Sequence, residues 1–123
     1  YYGDEAGMEG FEDPLNRKTY PWDRQDRALL DFFRSLGQLR RHRPSLQDGD
    51  LTYVYAQGGA LVLRRQLGDE ITVAALNTGE TAVEVSLPWP RDLAREALTF
   101  QQFFAPGRKL RLRLPPVSGM ILI

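Results

Sequence analysis

The sequence predicts a mainly β protein, an antiparallel β-sandwich with a Greek-key connection, preceded by a long loop and one α-helix. Three observations predict it. Apolar residues recur at helical spacing only between about Asp23 and Arg41. After Pro44 the pattern changes to short runs separated by turn residues. Before Arg24 there is neither period, only turn formers such as Gly3, Gly7, Gly10, Asp13-Pro14, Asn16 and Pro21.

The opening stretch is longer than most loops inside a compact protein, and loops of that length are usually functional. The helix is expected from near Asp23 or Arg24 to near Arg41. Asp23 suits its N-cap, Asp26 suits its first turn, and Pro44 is expected to stop it. Leu29, Leu30, Phe32, Phe33, Leu36 and Leu39 spread over about half of its circumference, which predicts packing against two bodies. Leu51–Ala56 and Ala60–Arg65 flank Gly58-Gly59 as a hairpin. Ile71–Leu76 is nearly all apolar, as in a strand covered on both faces. Thr81–Leu87 alternates, with Val83, Val85 and Leu87 on one side. Pro88-Trp89-Pro90 breaks the sheet, and a polar connection leads to Leu98–Phe104. Leu110, Leu112 and Leu114 alternate with Lys109, Arg111 and Arg113, the clearest period of two in the sequence. Val117–Ile123 follows Pro115-Pro116 as a last strand, for about seven strands in all.

Composition excludes several classes of function. The 123 residues carry 16 basic and 16 acidic side chains, so there is no net basic field of the kind that attracts nucleic acid or an anionic membrane. The local run Arg40-Arg41-His42-Arg43 is read as a solvated face. With no cysteine, thiolate catalysis, disulfides and cysteine-bound zinc are out of reach, and the compartment stays open. No apolar run approaches the ~20 residues that cross a bilayer. His42, the single histidine, has no partner set for a metal site or a triad and suits a helix terminus. No metal, cofactor or phosphate loop is expected. The chain opens without an initiator Met and reads as cut in mid-element.

Three motifs in register carry a resemblance. Tyr1-Tyr2-Gly3-Asp4-Glu5-Ala6-Gly7, then Asp13-Pro14-Leu15-Asn16-Arg17, then Tyr20-Pro21-Trp22 precede a helix and a β domain. In order and spacing this resembles the α-amylase family of glycoside hydrolases (family 13), in particular its neopullulanase, cyclomaltodextrinase, maltogenic amylase and amylopullulanase members. The resemblance implies that residues 1–45 are the last strand-loop-helix unit of a (β/α)8 barrel and residues 46–123 the C-terminal sandwich, often called domain C. Strand-to-helix loops of such barrels face the chemistry. By motif position, Asp13 and Arg17 are implied to contact sugar hydroxyls, with Pro14 holding the loop extended. A carboxylate accepts from hydroxyls and a guanidinium donates several bonds in fixed geometry. The alternative for Asp13 and Arg17 is an ion pair that stabilises the loop. Glu5 and Asp4 are implied to support neighbouring groups, or else simply to face solvent. Tyr20 and Trp22 either stack on sugar faces or, the favoured reading, pack under the helix.

Glycoside hydrolysis needs two carboxyl groups flanking the scissile bond. In the resembled family these and a third acidic residue belong to strands four, five and seven, none of them present here. The resemblance therefore implies part of a retaining hydrolase of α-1,4, and for pullulan α-1,6, glucosidic bonds, inactive by itself. Its implied partners are an α-glucan oligosaccharide and the rest of the barrel. The uncovered helix face offers a route to a homo-oligomer, and no nucleic acid or membrane partner is expected. The alternative is a stand-alone carbohydrate-binding accessory module, for which Trp89 is the visible surface aromatic.

Overall fold

In a computed structural model, which describes residues 2–123, the chain divides into two units, one through Arg40 and the other Arg41–Ile123. Tyr1, the first residue of the opening motif, lies outside the described residues.

Residues 2–26 contain a loop and no strand. Gly3 (φ 91°) and Gly7 (φ 71°) flank a 3-10 turn, Asp4–Ala6, closed by the Ala6 and Met8 N–H groups donating to the Gly3 carbonyl at 3.0 and 3.1 Å. At φ 91° Gly3 holds a left-handed conformation that other residues adopt only with strain, so the turn favours glycine there. Helix α1, Arg27–His42, starts later than the sequence suggested. Asp23 does not cap it. The Arg24 N–H donates to the Pro21 carbonyl at 3.0 Å, which keeps Asp23 in a turn at φ 66°. Asp26 caps instead, its Oδ1 accepting from the Leu29 N–H at 3.0 Å. No side chain of α1 is buried, and Phe32 and Phe33 meet edge to face at 6.4 Å on its exposed surface.

In the second unit Pro44 opens a further short helix, α2 (Pro44–Asp48), where the sequence suggested only a stop. Eight strands follow. β1 (Asp50–Gln57), β2 (Ala60–Leu67), β3 (Glu70–Asn77) and β8 (Ser118–Leu122) form an antiparallel sheet in that order. β4 (Val83–Pro88) pairs with β7 (Lys109–Leu114), and β5 (Leu93–Arg95) with β6 (Gln102–Phe104). The chain leaves the larger sheet after β3, builds the other two pairs, and returns beside β3 as β8, a Greek-key-type path. Gly58 (φ 58°) and Gly59 (φ 79°) supply the left-handed turn joining β1 to β2.

The core lies between the layers. Val62, Val73, Ala75 and Leu122 from the larger sheet meet Val85, Leu87, Leu110, Leu112 and Leu114 from β4 and β7. Register puts Val83 opposite Leu114, Val85 opposite Leu112 and Leu87 opposite Leu110, so the two alternating runs bury one shared face. Each of these leucines is worth roughly 1.5–3 kcal/mol of burial. Two expectations need correction. β3 is not covered on both faces: Leu76, pointing away from the core, is 45% exposed, and cover on that side reaches only Thr72. The polar connection after Pro90 contains a strand of its own, β5, whose buried Ala94 sits opposite Phe103.

Candidate functional site

The candidate site is the loop of the first unit. Leu15 N–H donates to the Glu12 carbonyl at 2.8 Å and Arg17 N–H to the Pro14 carbonyl at 3.1 Å, so the chain doubles back around Pro14. Pro14 therefore sits in a tight turn with a cis Asp13–Pro14 bond, and the expectation of an extended loop is corrected. The turn brings Asp13 and Arg17 together: Arg17 Nε lies 2.7 Å from Asp13 Oδ1, and Nη2 lies 3.3 Å from Oδ2. This two-pronged pairing fixes the guanidinium plane while both side chains stay more than half exposed. An exposed pair of this kind contributes little to stability, on the order of 0–1 kcal/mol. Its remaining lone pairs and N–H groups are turned to solvent, where sugar hydroxyls are the right size and polarity to replace water.

The loop is held at its base. The Tyr2 hydroxyl donates to the Lys18 carbonyl at 2.6 Å, and Lys18 Nζ donates to the Glu9 carbonyl at 2.9 Å while lying 5.2 Å from the centre of the Phe11 ring. Arg17 and Asn16 share an open cleft of about 360 Å³ with Tyr2, Asp4, Met8 and Glu9. Asp4 lines the same cleft as Arg17, whereas Glu5, half-buried in the 3-10 turn, does not. Tyr20 and Trp22 touch each other, with ring centres 4.7 Å apart and planes at 55°. The favoured expectation that both pack under the helix is corrected for Trp22, which is 74% exposed because the turn at 21–24 points it outward.

Three polar features of the sandwich escaped the sequence. Arg43 is not part of a solvated run. Its Nε donates to Thr72 Oγ1 at 2.9 Å and its Nη2 to the Ile71 carbonyl at 3.0 Å, with Glu70 Oε1 at 3.8 Å. Burial lowers the Arg43 pKa, Glu70 opposes that, and Arg91 and Arg95 add to it. Glu70 in turn accepts from the Ser45 N–H at 2.7 Å, and the Ser45 contact holds its carboxyl below the usual range. Glu96 is almost buried. Burial pushes its pKa up, but N–H donors from Thr99, Ile121 and Leu98 outweigh this and leave it lowered. Asn77, 1% exposed, donates through Nδ2 to the Thr81, Leu114 and Pro115 carbonyls and accepts from the Gly79 N–H. A sequence signal exists only for Asn77, whose place beside Thr78-Gly79 marks a turn.

Trp89 is not a surface aromatic. It is 3% exposed and its Nε1 donates to the Leu93 carbonyl at 3.0 Å. The exposed aromatics of the sandwich are Tyr53, Phe100 and Phe104.

An exposed, fixed carboxylate–guanidinium pair on a loop, followed by a helix and an antiparallel sandwich, is compatible with a hydroxyl-rich ligand and by itself names no class. The comparisons supply one. An amylopullulanase of Thermoanaerobacterium saccharolyticum is 29% identical over the whole of this chain, and a cyclomaltodextrinase of Geobacillus thermopakistaniensis is 33% identical over 99% of it. The solved α-amylase of Geobacillus thermoleovorans, described in complex with acarbose, superposes over 99% of the chain with a TM-score of 0.87 and 32% identity. The chain belongs to the α-amylase family, glycoside hydrolase family 13, as a portion of such an enzyme. It spans 11% and 22% of the two curated relatives and 28% of the solved amylase. No family model matches it.

Proposed function

We propose that this chain is the C-terminal portion of a retaining α-glucan hydrolase that acts on α-1,4 bonds of maltodextrins or cyclomaltodextrins, and on pullulan. Residues 1–45 supply the loop and helix of the last barrel unit, with no strand of it among the described residues, and residues 46–123 the C-terminal sandwich. The observation that carries this reading is the exposed Asp13–Arg17 pair, fixed in plane at 2.7 and 3.3 Å on a stapled loop.

In this reading Asp13 accepts from sugar hydroxyls and holds the Arg17 guanidinium, which donates its outward N–H groups to neighbouring hydroxyls. Asp4 supports Arg17 from across the cleft. Glu5 steadies the turn below, and Tyr20 with Trp22 offers a ring face to a glucosyl unit. None of these groups performs proton transfer. The acid and the nucleophile that the reaction requires belong to the remainder of the enzyme. That remainder covers the apolar face of α1, or a second copy does. The sandwich has a structural role. Acarbose in the related α-amylase supports an α-glucan as ligand.

The purified chain should release no reducing sugar from maltodextrin or pullulan, whereas the enzyme containing it should. Turnover by the chain alone would overturn the reading. The accessory-module alternative loses Trp89, which lies inside the core, and rests instead on the exposed Tyr53, Phe100 and Phe104.

A further inference from the structure

The sandwich carries a second polar cleft, remote in sequence from the loop and with different chemistry. It is open, about 470 Å³, and is lined by the guanidinium-bearing residues Arg43, Arg91 and Arg95 together with Asp92 and Gln102. Asp92 is the single carboxylate side chain among these lining residues. Arg43 is anchored by Thr72 and the Ile71 carbonyl, so its orientation is set. Arg91 and Arg95 make no ion pair among the described residues. The partner found for the Arg95 guanidinium is the Phe100 ring, at 5.5 Å from its centre. Strand pairing fixes the wall, with Arg95 opposite Gln102 across β5 and β6.

Three like charges around one opening repel each other; Asp92 on the lining and Glu70, 3.8 Å from Arg43 Nε, offset them in part, and an entering anion would offset them further. At Arg43 burial lowers the pKa most, Glu70 opposes it, and the Arg91 and Arg95 charges add smaller effects in the lowering direction. Guanidinium groups match the oxygens of a tetrahedral oxyanion with paired hydrogen bonds. The amide of Gln102 adds a neutral donor. The volume exceeds that of a bare phosphate and leaves room for a small group attached to it. We propose that Arg43, Arg91 and Arg95 form a binding site for a phosphate-type oxyanion, free or carried on a small sugar.

The test is calorimetry on the full 123-residue chain at low ionic strength, titrating inorganic phosphate, glucose 6-phosphate and, as a neutral control, glucose. The expected result is saturable one-to-one binding of the two anions and none of glucose. Binding should weaken as salt is added. Arg91→Gln and Arg95→Gln should each weaken it about tenfold, the usual scale for one charged hydrogen bond. Arg111→Gln, on the outer face of β7, should leave it unchanged, and circular dichroism checks that every variant is folded. Tighter binding of glucose 6-phosphate than of phosphate assigns the sugar-borne source, and equal binding assigns the free ion. No saturable heat, or equal weakening by Arg91→Gln and Arg111→Gln, overturns the proposal.

Discussion

Glu96 offers a direct measure of how much a buried polar clamp contributes to the sandwich. One carboxylate oxygen accepts from the Leu98 N–H at 2.8 Å and from the Thr99 N–H, and the other accepts from the Ile121 N–H at 3.2 Å. The group thus ties the β5–β6 turn to β8. Glu96→Gln keeps the shape but turns an NH2 toward N–H donors and removes the charge. Hydrogen bonds to a charged group contribute about 1.5–3 kcal/mol each, and water recovers part of the loss at the turn, so about 2 kcal/mol is expected. For a unit of this size that lowers the melting temperature by roughly 8–16 °C. The pH dependence has a definite sign. The folded pKa lies below the unfolded one, near 4.3, so the stabilisation is present above that pH and is lost as pH falls through the folded value. Thermal melts followed by near-ultraviolet circular dichroism should show the largest gap between wild type and Glu96→Gln at neutral pH. The gap should shrink below about pH 4. A neutral-pH gap under about 2 °C, or one that persists unchanged in acid, would refute the clamp.

Asn77→Ala should destabilise by about 2–3 kcal/mol in urea unfolding with an unchanged slope, because it strands three carbonyls and the Gly79 N–H. Thr72→Val should cost about 1–2 kcal/mol in the same assay, since Arg43 Nε loses its acceptor and Ser45 Oγ its partner. Trp22→Ala should shift the melting midpoint by no more than the equivalent of about 0.5 kcal/mol, as expected for an exposed side chain, while any role against sugar would be read separately in ligand titrations.

The parts of this fold that were legible in the sequence are those whose cause is local. Leu110, Leu112 and Leu114 announce β7 because one face of the strand is core and the other solvent. Gly58-Gly59 announces its hairpin because only glycine adopts those angles freely. Asp13 and Arg17 were singled out together by the family resemblance and not by any local period, and the turn that joins them was misjudged as extended. What escaped depends on partners far along the chain. Arg43 reads as one more arginine after Arg40 and Arg41 until β3 supplies Thr72 and Ile71, and Glu96 reads as surface until β8 supplies Ile121. β5, three residues long, is too short for a period to register.

The central claim, that the Asp13–Arg17 pair touches the glucan, is tested most directly in the intact enzyme that contains this chain. Asp13→Ala and Arg17→Ala should each lower kcat/KM for maltodextrin about tenfold or more, chiefly through KM. The double variant should lose little beyond the worse single one, because the two side chains act together. Unchanged kinetics on long glucans in both variants would contradict the account.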